Sequence, residues 1–303
     1  MAEKMIDRIS FHDQIQRNKA KSALLIAVVF IVLLALGYAI SFAFDPGYFF
    51  FIMIISIIFS ISYIIFGYYN SDKIALASVG AKKALPSEYR QLYNSIDGLT
   101  IASGMPMPQI YIMESEQINA FATGRNPQHS VICVTTGALK KLNKQELEGV
   151  LGHELSHIAN FDIRFMTLTA VLIGIIAILS QIFLRSMWYG GRNEREGKGN
   201  AILMLIAILL AILAPILTQL VQFAISRKRE YAADASSVKF TRYPTGLINA
   251  LRKIKNEHAP ESSRRINKAV APLFMSDPFR RKFSELFSTH PDINKRINIL
   301  ERM

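Results

Sequence analysis

The sequence predicts an α+β integral membrane protein: four transmembrane helices in two hairpins, and a helical domain with a small β-sheet that the second hairpin divides. Three observations carry this expectation. Four uncharged apolar runs, residues 23–44, 47–69, 165–184 and 201–225, are 22, 23, 20 and 25 residues long, and about 20 such residues span a bilayer. Between the second and third runs, short β-type segments alternate with polar helical ones. Basic residues flank the first hairpin and are missing from its turn.

The elements follow in order. The first run is too long for a cleaved signal peptide, and a second span follows after only Asp45 and Pro46. Lys4, Arg8, Arg17, Lys19 and Lys21 precede this hairpin, and Lys73, Lys82 and Lys83 follow it. The positive-inside rule therefore puts both of its ends, and the segment up to Asp162, in the cytoplasm. The connection between the third and fourth runs carries Arg185, Arg192, Arg195 and Lys198 against Glu194 and Glu196. That is much positive charge for an outer loop. Crossing is the expectation, and a hairpin lying over the catalytic domain is the alternative. The expected division is a cytoplasmic N-terminal segment (1–22), a transmembrane hairpin (23–69), a first catalytic part (70–162), a second hydrophobic hairpin (163–225) and a second catalytic part (226–303).

Most of the net charge of +12 lies in the tail, where residues 226–303 hold 17 Lys and Arg against 8 Asp and Glu. A basic cytoplasmic segment suits an anionic leaflet, and no nucleic-acid module accompanies it. The single cysteine, Cys133, excludes an internal disulfide and sits in an apolar run, as a core residue does.

In the polar region, residues 86–104 read as a helix closed by Gly104, followed by the breaker Met105-Pro106-Met107-Pro108. Strands are expected at 109–113, at 117–123 ending on Gly124, and at 131–135. A helix follows, with Asn143 as its cap and Glu146 completing a capping box. The tail reads as helices at 223–240, 244–258 and 291–302, with a loop at 259–278.

The helix capped by Asn143 carries His153-Glu154-Leu155-Ser156-His157. Two His four apart project from one helical face, so their ring nitrogens can share one small cation. Zinc accepts imidazole and, in catalytic sites, keeps one of four positions for water. Glu154 is placed to take a proton from that water, which is the H-E-x-x-H arrangement of zinc metallopeptidases. Two His leave zinc short of a protein ligand. After the fourth run, Glu230 and Asp234 again share a helical face. Glu230 can be the third ligand, and Asp234 can accept the spare ring N–H of a liganding His. By spacing alone, a solvated helix with i,i+4 charges is the better explanation of this pair.

These motifs, together with Asn119-Ala120-Phe121, Val134-Thr135-Thr136-Gly137, Arg229-Glu230-Tyr231 and Ser288-Thr289-His290-Pro291, resemble the HtpX-type membrane zinc metallopeptidases, relatives of the CAAX prenyl endopeptidases. The resemblance covers nearly the whole chain. It implies a zincin-like catalytic domain and one zinc ion per chain held by His153, His157 and Glu230, with Glu154 as general base. It also implies a cytoplasm-facing endopeptidase of the inner (cytoplasmic) membrane that takes part in membrane-protein quality control, with unfolded or membrane-protein substrates. Asn119, Ala120 and Phe121 match the strand that faces substrate, where a peptide can add by main-chain hydrogen bonds. His290 is a candidate donor to the oxyanion or a helix cap, and Arg296, six residues on, is a weaker candidate beside it. His12, His129 and His258 lack a partner pattern and read as surface.

Two other readings stand beside this one. A CAAX-type processing peptidase would cut only prenylated peptides, but four apolar runs are few for a multi-helix chamber. A metal-binding scaffold would retain zinc without hydrolysis, but it has no need of Glu154.

Overall fold

Two long helices open the chain. The computed structural model describes residues 11–41, 45–171, 227–257, 273–275 and 291–303. Helix α1 (Phe11–Ser41) and helix α2 (Phe49–Ser78) are joined by a short turn at Pro46–Tyr48, where Asp45 caps the Gly47 N–H. Both are long and apolar enough to cross a membrane. Phe50, Phe51, Ile58 and Phe66 of α2 face outward, as lipid contact requires and as aqueous solvent penalises. The two helices meet closely at Gly37, where a Cβ would lie 2.1 Å from the Ser56 hydroxyl. Small residues of this kind let membrane helices approach.

Both helices are longer than a bilayer needs. Thirty-one residues of α1 span about 46 Å at 1.5 Å each, against about 30 Å of hydrocarbon. The surplus joins the catalytic body: Asn18 of α1 and Ala75 and Leu76 of α2 are buried against it. The expected N-terminal segment 1–22 is thus, from Phe11 on, continuous with the first span.

The body holds a four-stranded mixed sheet in the order β1-β2-β4-β3. Strand β1 (Lys82–Lys83) pairs antiparallel with β2 (Gln109–Met113), β2 runs parallel to β4 (His129–Thr135), and β4 pairs antiparallel with β3 (Ala120–Asn126). Helix α3 (Arg90–Ser103) lies between β1 and β2. It ends on Gly104 at φ 69°, the left-handed position that favours glycine. Helices α4 (Thr136–Lys141) and α5 (Lys144–Ala159) follow β4, and a further helix begins at 162. The tail supplies α6 (Arg227–Thr241), α7 (Pro244–Asn256) and α8 (Ile293–Leu300). The main core lies between the sheet, α3, α5 and α7, with Ile96, Ile132, Leu151, Leu155 and Leu247 fully enclosed.

The structure adjusts two expected elements and adds one. The strand expected at 117–123 begins at Ala120 and runs to Asn126. The reason lies in side-chain competition. Thr135 Oγ1 donates to the Gln117 and Asn119 carbonyls and accepts the Asn119 N–H, while Glu257 accepts the Ile118 N–H. Gly124 does not end the strand but sits at a register shift within it, at φ 132°. The last helix starts after Asp292, which caps the Lys295 N–H, so Pro291 precedes the cap instead of opening the helix. The two-residue strand Lys82–Lys83 has no apolar pattern to announce it. The second hairpin beyond Val171, the 185–200 connection, His258 and His290 lie outside the described residues.

Candidate active site

Helix α5 is the platform. Asn143 Oδ1 accepts the Glu146 N–H at 2.9 Å and Glu146 Oε2 accepts the Asn143 N–H at 2.8 Å, so the expected capping box is present. Lys253 of α7 adds a third bond to Glu146 at 2.6 Å. Two glycines set how close the tail comes. A Cβ on Gly149 would lie 2.6 Å from the Leu247 nitrogen, and one on Gly152 2.8 Å from Ser237 Oγ. Ser237 instead donates to the Gly149 carbonyl at 2.6 Å. Helices α6 and α7 therefore rest directly on the α5 backbone, and α6 brings Glu230 to the histidine face.

His153, His157 and Glu230 each offer a ligand atom, all within 4.8 Å of one another and all buried. His153 Nε2 and His157 Nε2 are 3.2 Å apart, and each lies 3.6 Å from an oxygen of Glu230. The other ring nitrogens are committed: His153 Nδ1 to Asp234 at 2.9 Å and His157 Nδ1 to Asp162 at 3.1 Å. With both Nδ1–H groups donated to carboxylates, the two Nε2 atoms turn lone pairs toward the same point as a carboxylate. Three acceptors converging in a buried pocket call for a cation. Burial opposes a charged His153, but its hydrogen bonds to Asp234 and Glu230 prevail and hold its pKa up at about 9. The pocket thus favours positive charge where the ligands meet. Two imidazoles and a carboxylate are a donor set suited to zinc.

Glu154 is 1% exposed, and its Oε1 has no hydrogen-bond partner among the described residues. Burial pushes its carboxyl above the usual carboxylate range, while the two histidines and the Ala122 N–H pull the other way. An unsatisfied buried carboxylate oxygen is costly, and beside a metal it is placed to meet water.

The model of peptidase family M48 matches residues 86–303, which include all of α5 and α6. The chain belongs to peptidase family M48. Proteins named Protease HtpX homolog are similar throughout: that of Dictyoglomus thermophilum is 42% identical over 294 residues, covering 97% of this chain and 95% of the relative. Those of Thermoanaerobacter pseudethanolicus and Streptococcus pneumoniae are 42% and 40% identical over 302 residues, covering 98% and 96% of this chain and 99% of each relative. Among solved structures, S. mikatae Ste24p superposes with a TM-score of 0.47 at 20% identity, covering 94% of this chain and 66% of that one, just under two thirds of its length. This M48 chain is a membrane-associated metallopeptidase related to HtpX, with a buried His/His/Glu cluster able to hold a divalent metal.

The remaining candidates fall into place around the cluster. Asp234 is held bidentately by Arg296, with Nε to Oδ2 at 2.9 Å and Nη2 to Oδ1 at 2.7 Å. Burial disfavours the charged Asp234, yet Arg296 and His153 overcome it and keep its carboxyl down at about 2. Arg296 is itself 1% exposed. It stands behind His153, on the carboxylate that orients the ring. Asn119 is buried, and its Oδ1 accepts the Ala120 N–H at 3.1 Å. Ala120 and Phe121 open β3 at the sheet edge. His129 is exposed and bonds Asn126.

Sequence reasoning missed the support of His157. The chain leaves α5 through Phe161 in a left-handed conformation, φ 58°, which is uncommon for a bulky residue. This turn swings Asp162 back onto His157. Asn18 of α1 donates to Asp162 Oδ1 at 2.7 Å and to the Asn160 carbonyl at 3.0 Å, and Arg229 approaches the same Oδ1 at 3.4 Å. An acidic residue five positions after His157 was a usable signal. Nothing in the sequence marked Asn18.

Proposed function

We propose that the chain is a zinc-dependent endopeptidase that cuts misfolded or damaged membrane proteins and unfolded polypeptides at the cytoplasmic face of the inner (cytoplasmic) membrane. His153, His157 and Glu230 hold the metal. The observation that carries this is the convergence of two Nε2 lone pairs and one carboxylate, within 4.8 Å, beside a buried glutamate that lacks a partner at Oε1. Zinc bound there would supply Lewis acidity, lowering the pKa of a water and polarising the scissile carbonyl. Glu154 takes the proton from water and passes it to the leaving amine, a transfer that its raised pKa favours. Asp234 and Asp162 fix the ring tautomers. Arg296 acts through Asp234 and not on substrate. The edge of β3 at Asn119, Ala120 and Phe121 receives the substrate backbone, and His290 is assigned on sequence grounds as donor to the oxyanion.

The cytoplasmic placement rests on the basic residues around the first hairpin and in the tail. The second hairpin is proposed as a further pair of spans. His157 lies eight residues before the third apolar run, with only the end of α5, the turn at 160–161 and the first residues of the next helix between them, which puts the chemistry near the bilayer and its substrates.

The test incubates zinc-loaded, detergent-purified full chain with denatured casein, beside Glu154→Gln. Wild type should hydrolyse it, and the variant should retain about one zinc per chain with no turnover. Comparable turnover in the variant would remove Glu154 from the mechanism.

A further inference from the structure

One edge of β3 is taken by β4, and the alternation of its hydrogen bonds decides what the other edge offers. The Asn119 carbonyl accepts the Thr135 N–H of β4, so Ala120 and Ala122, in register opposite Val134 and Ile132, turn their backbone groups outward. Helix α5, which carries Glu154, packs on β3, and the Ala122 N–H lies close enough to the Glu154 carboxyl to favour its charged form. The outward edge at these residues is therefore the one beside the proposed general base, where an extended peptide would add.

A segment of the chain itself is already there. The Met275 N–H donates to the Ala120 carbonyl at 2.9 Å, and Phe274 pairs antiparallel with Phe121. The two phenyl rings meet edge to face, with centroids 4.9 Å apart at 61°, a favoured aromatic arrangement. Leu273, Phe274 and Met275 are 3%, 1% and 2% exposed. Leu273 shares the cluster of Phe274, and the change of face comes between Phe274 and Met275, as for neighbours in an extended chain. Phe274 joins the cluster of Phe121, Leu76, Val131, Met166 and Ala170, while Met275 joins the main core with Ala120 and Ile118. Among the described residues the contact is a single bridge and not a ladder.

We propose that Leu273-Phe274-Met275 is a resident pseudosubstrate: it occupies the peptide-binding edge of β3, must yield to substrate, and its Phe274 site selects a large apolar side chain in the incoming segment. The inference rests on the peptidase reading and deepens it by naming the substrate class: extended chain with an aromatic or large aliphatic residue, as exposed by unfolded or membrane-derived polypeptides. Phe274 fills the space that such a residue takes, against the Phe121 ring and in one apolar cluster with Leu76 of α2. Substrate binding and release of the segment are then one exchange of equivalent contacts.

The experiment uses the zinc-loaded full chain in detergent with Glu154→Gln, so that bound peptide stays intact. The probe is a fluorescent peptide copying residues 270–278. It should bind, and bind at least tenfold more tightly when Phe274→Ala is added; a probe with Asp in place of its Phe should bind at least tenfold more weakly. Hydrogen–deuterium exchange on the protein with Phe274 intact keeps the test open if Phe274→Ala does not fold. Saturating probe should raise exchange in the fragment containing Met275. Bound probe with unchanged protection there, or no binding at all, overturns the pseudosubstrate. The two readings fail separately: if wild type cuts casein while the probe leaves Met275 protected, the peptidase stands and the pseudosubstrate falls. If the probe displaces the segment but wild type cuts nothing, the reverse holds.

Discussion

The two histidines of the metal cluster are braced in different ways. His153 is held from the tail: Asp234 on α6 accepts its Nδ1–H, and Arg296 on α8 grips both oxygens of that carboxylate. His157 is held from nearer in sequence but also from the membrane hairpin: Asp162 accepts its Nδ1–H, and Asn18 on α1 holds Asp162. The first brace is an ion pair sealed inside the body. The second combines a backbone turn with positive φ at Phe161, an amide from a helix that continues into the first span, and a longer one-point contact, 3.4 Å, from Arg229. A buried ion pair is strong only while both partners are present, whereas a neutral amide contributes modestly and adapts. The His153 side should therefore fail abruptly and the His157 side by degrees.

Arg296→Ala should have the largest effect. It leaves the Asp234 carboxylate buried with its guanidinium partner gone, a loss of about 3–5 kcal/mol for a broken buried pair. Chemical unfolding of the metal-free protein in detergent would measure it, and a loss below about 1 kcal/mol, as for an exposed pair, would break the contrast between the braces. Asp234→Asn comes next, with zinc affinity reduced about 10–100-fold, as when a ligand's orienting carboxylate is lost; competition with a chelator reads this directly. Asp162→Asn should fall at the lower end of that range, because Asp162 has no bidentate guanidinium to lose: its other partners are the Asn18 amide at 2.7 Å and Arg229 at 3.4 Å. If it weakens zinc more than Asp234→Asn does, the ranking of the two sides is reversed. Asn18→Ala should have the smallest effect. Of its two hydrogen bonds, the one to Asp162 bears on the metal; about 0.5–1.5 kcal/mol corresponds to a loss in zinc affinity of severalfold, roughly tenfold at most, and no change in affinity would detach the membrane helix from the site.

The same contrast explains what the sequence could disclose. The cap at Asn143 and the His153/His157 pair are local patterns, set by one helical turn, and both were legible; the Glu230/Asp234 pair has the same spacing but reads by itself as a solvated helix, and its role came from the resemblance. The approach of α6 and α7 to α5 was not, although Gly152 marks the first and Gly149 the second: a glycine inside a helix shows that something is close but not what. Asn18 and Asp162 are 144 residues apart in the chain, and no periodicity links them. Strand β3 was misplaced by three residues because Thr135 and Glu257 satisfy the backbone at 117–119 from outside the ladder. In each missed case a polar group found its partner far away in sequence, where propensity carries no information.

The length of α1 has a practical consequence. Its lower turns belong to the catalytic body, with Asn18 and Ser22 buried and Lys19 set over the Phe161 ring at 4.9 Å. A soluble version made by trimming the chain to its peptidase-family region would keep every proposed metal ligand and still expose the carboxylate behind one of them to water. Water-soluble redesign of this enzyme is better done by retaining the helix from Phe11 and recoating the lipid-facing side of its upper turns with polar residues. The hairpin is then treated as a wall of the catalytic chamber whose outer surface happens to touch lipid.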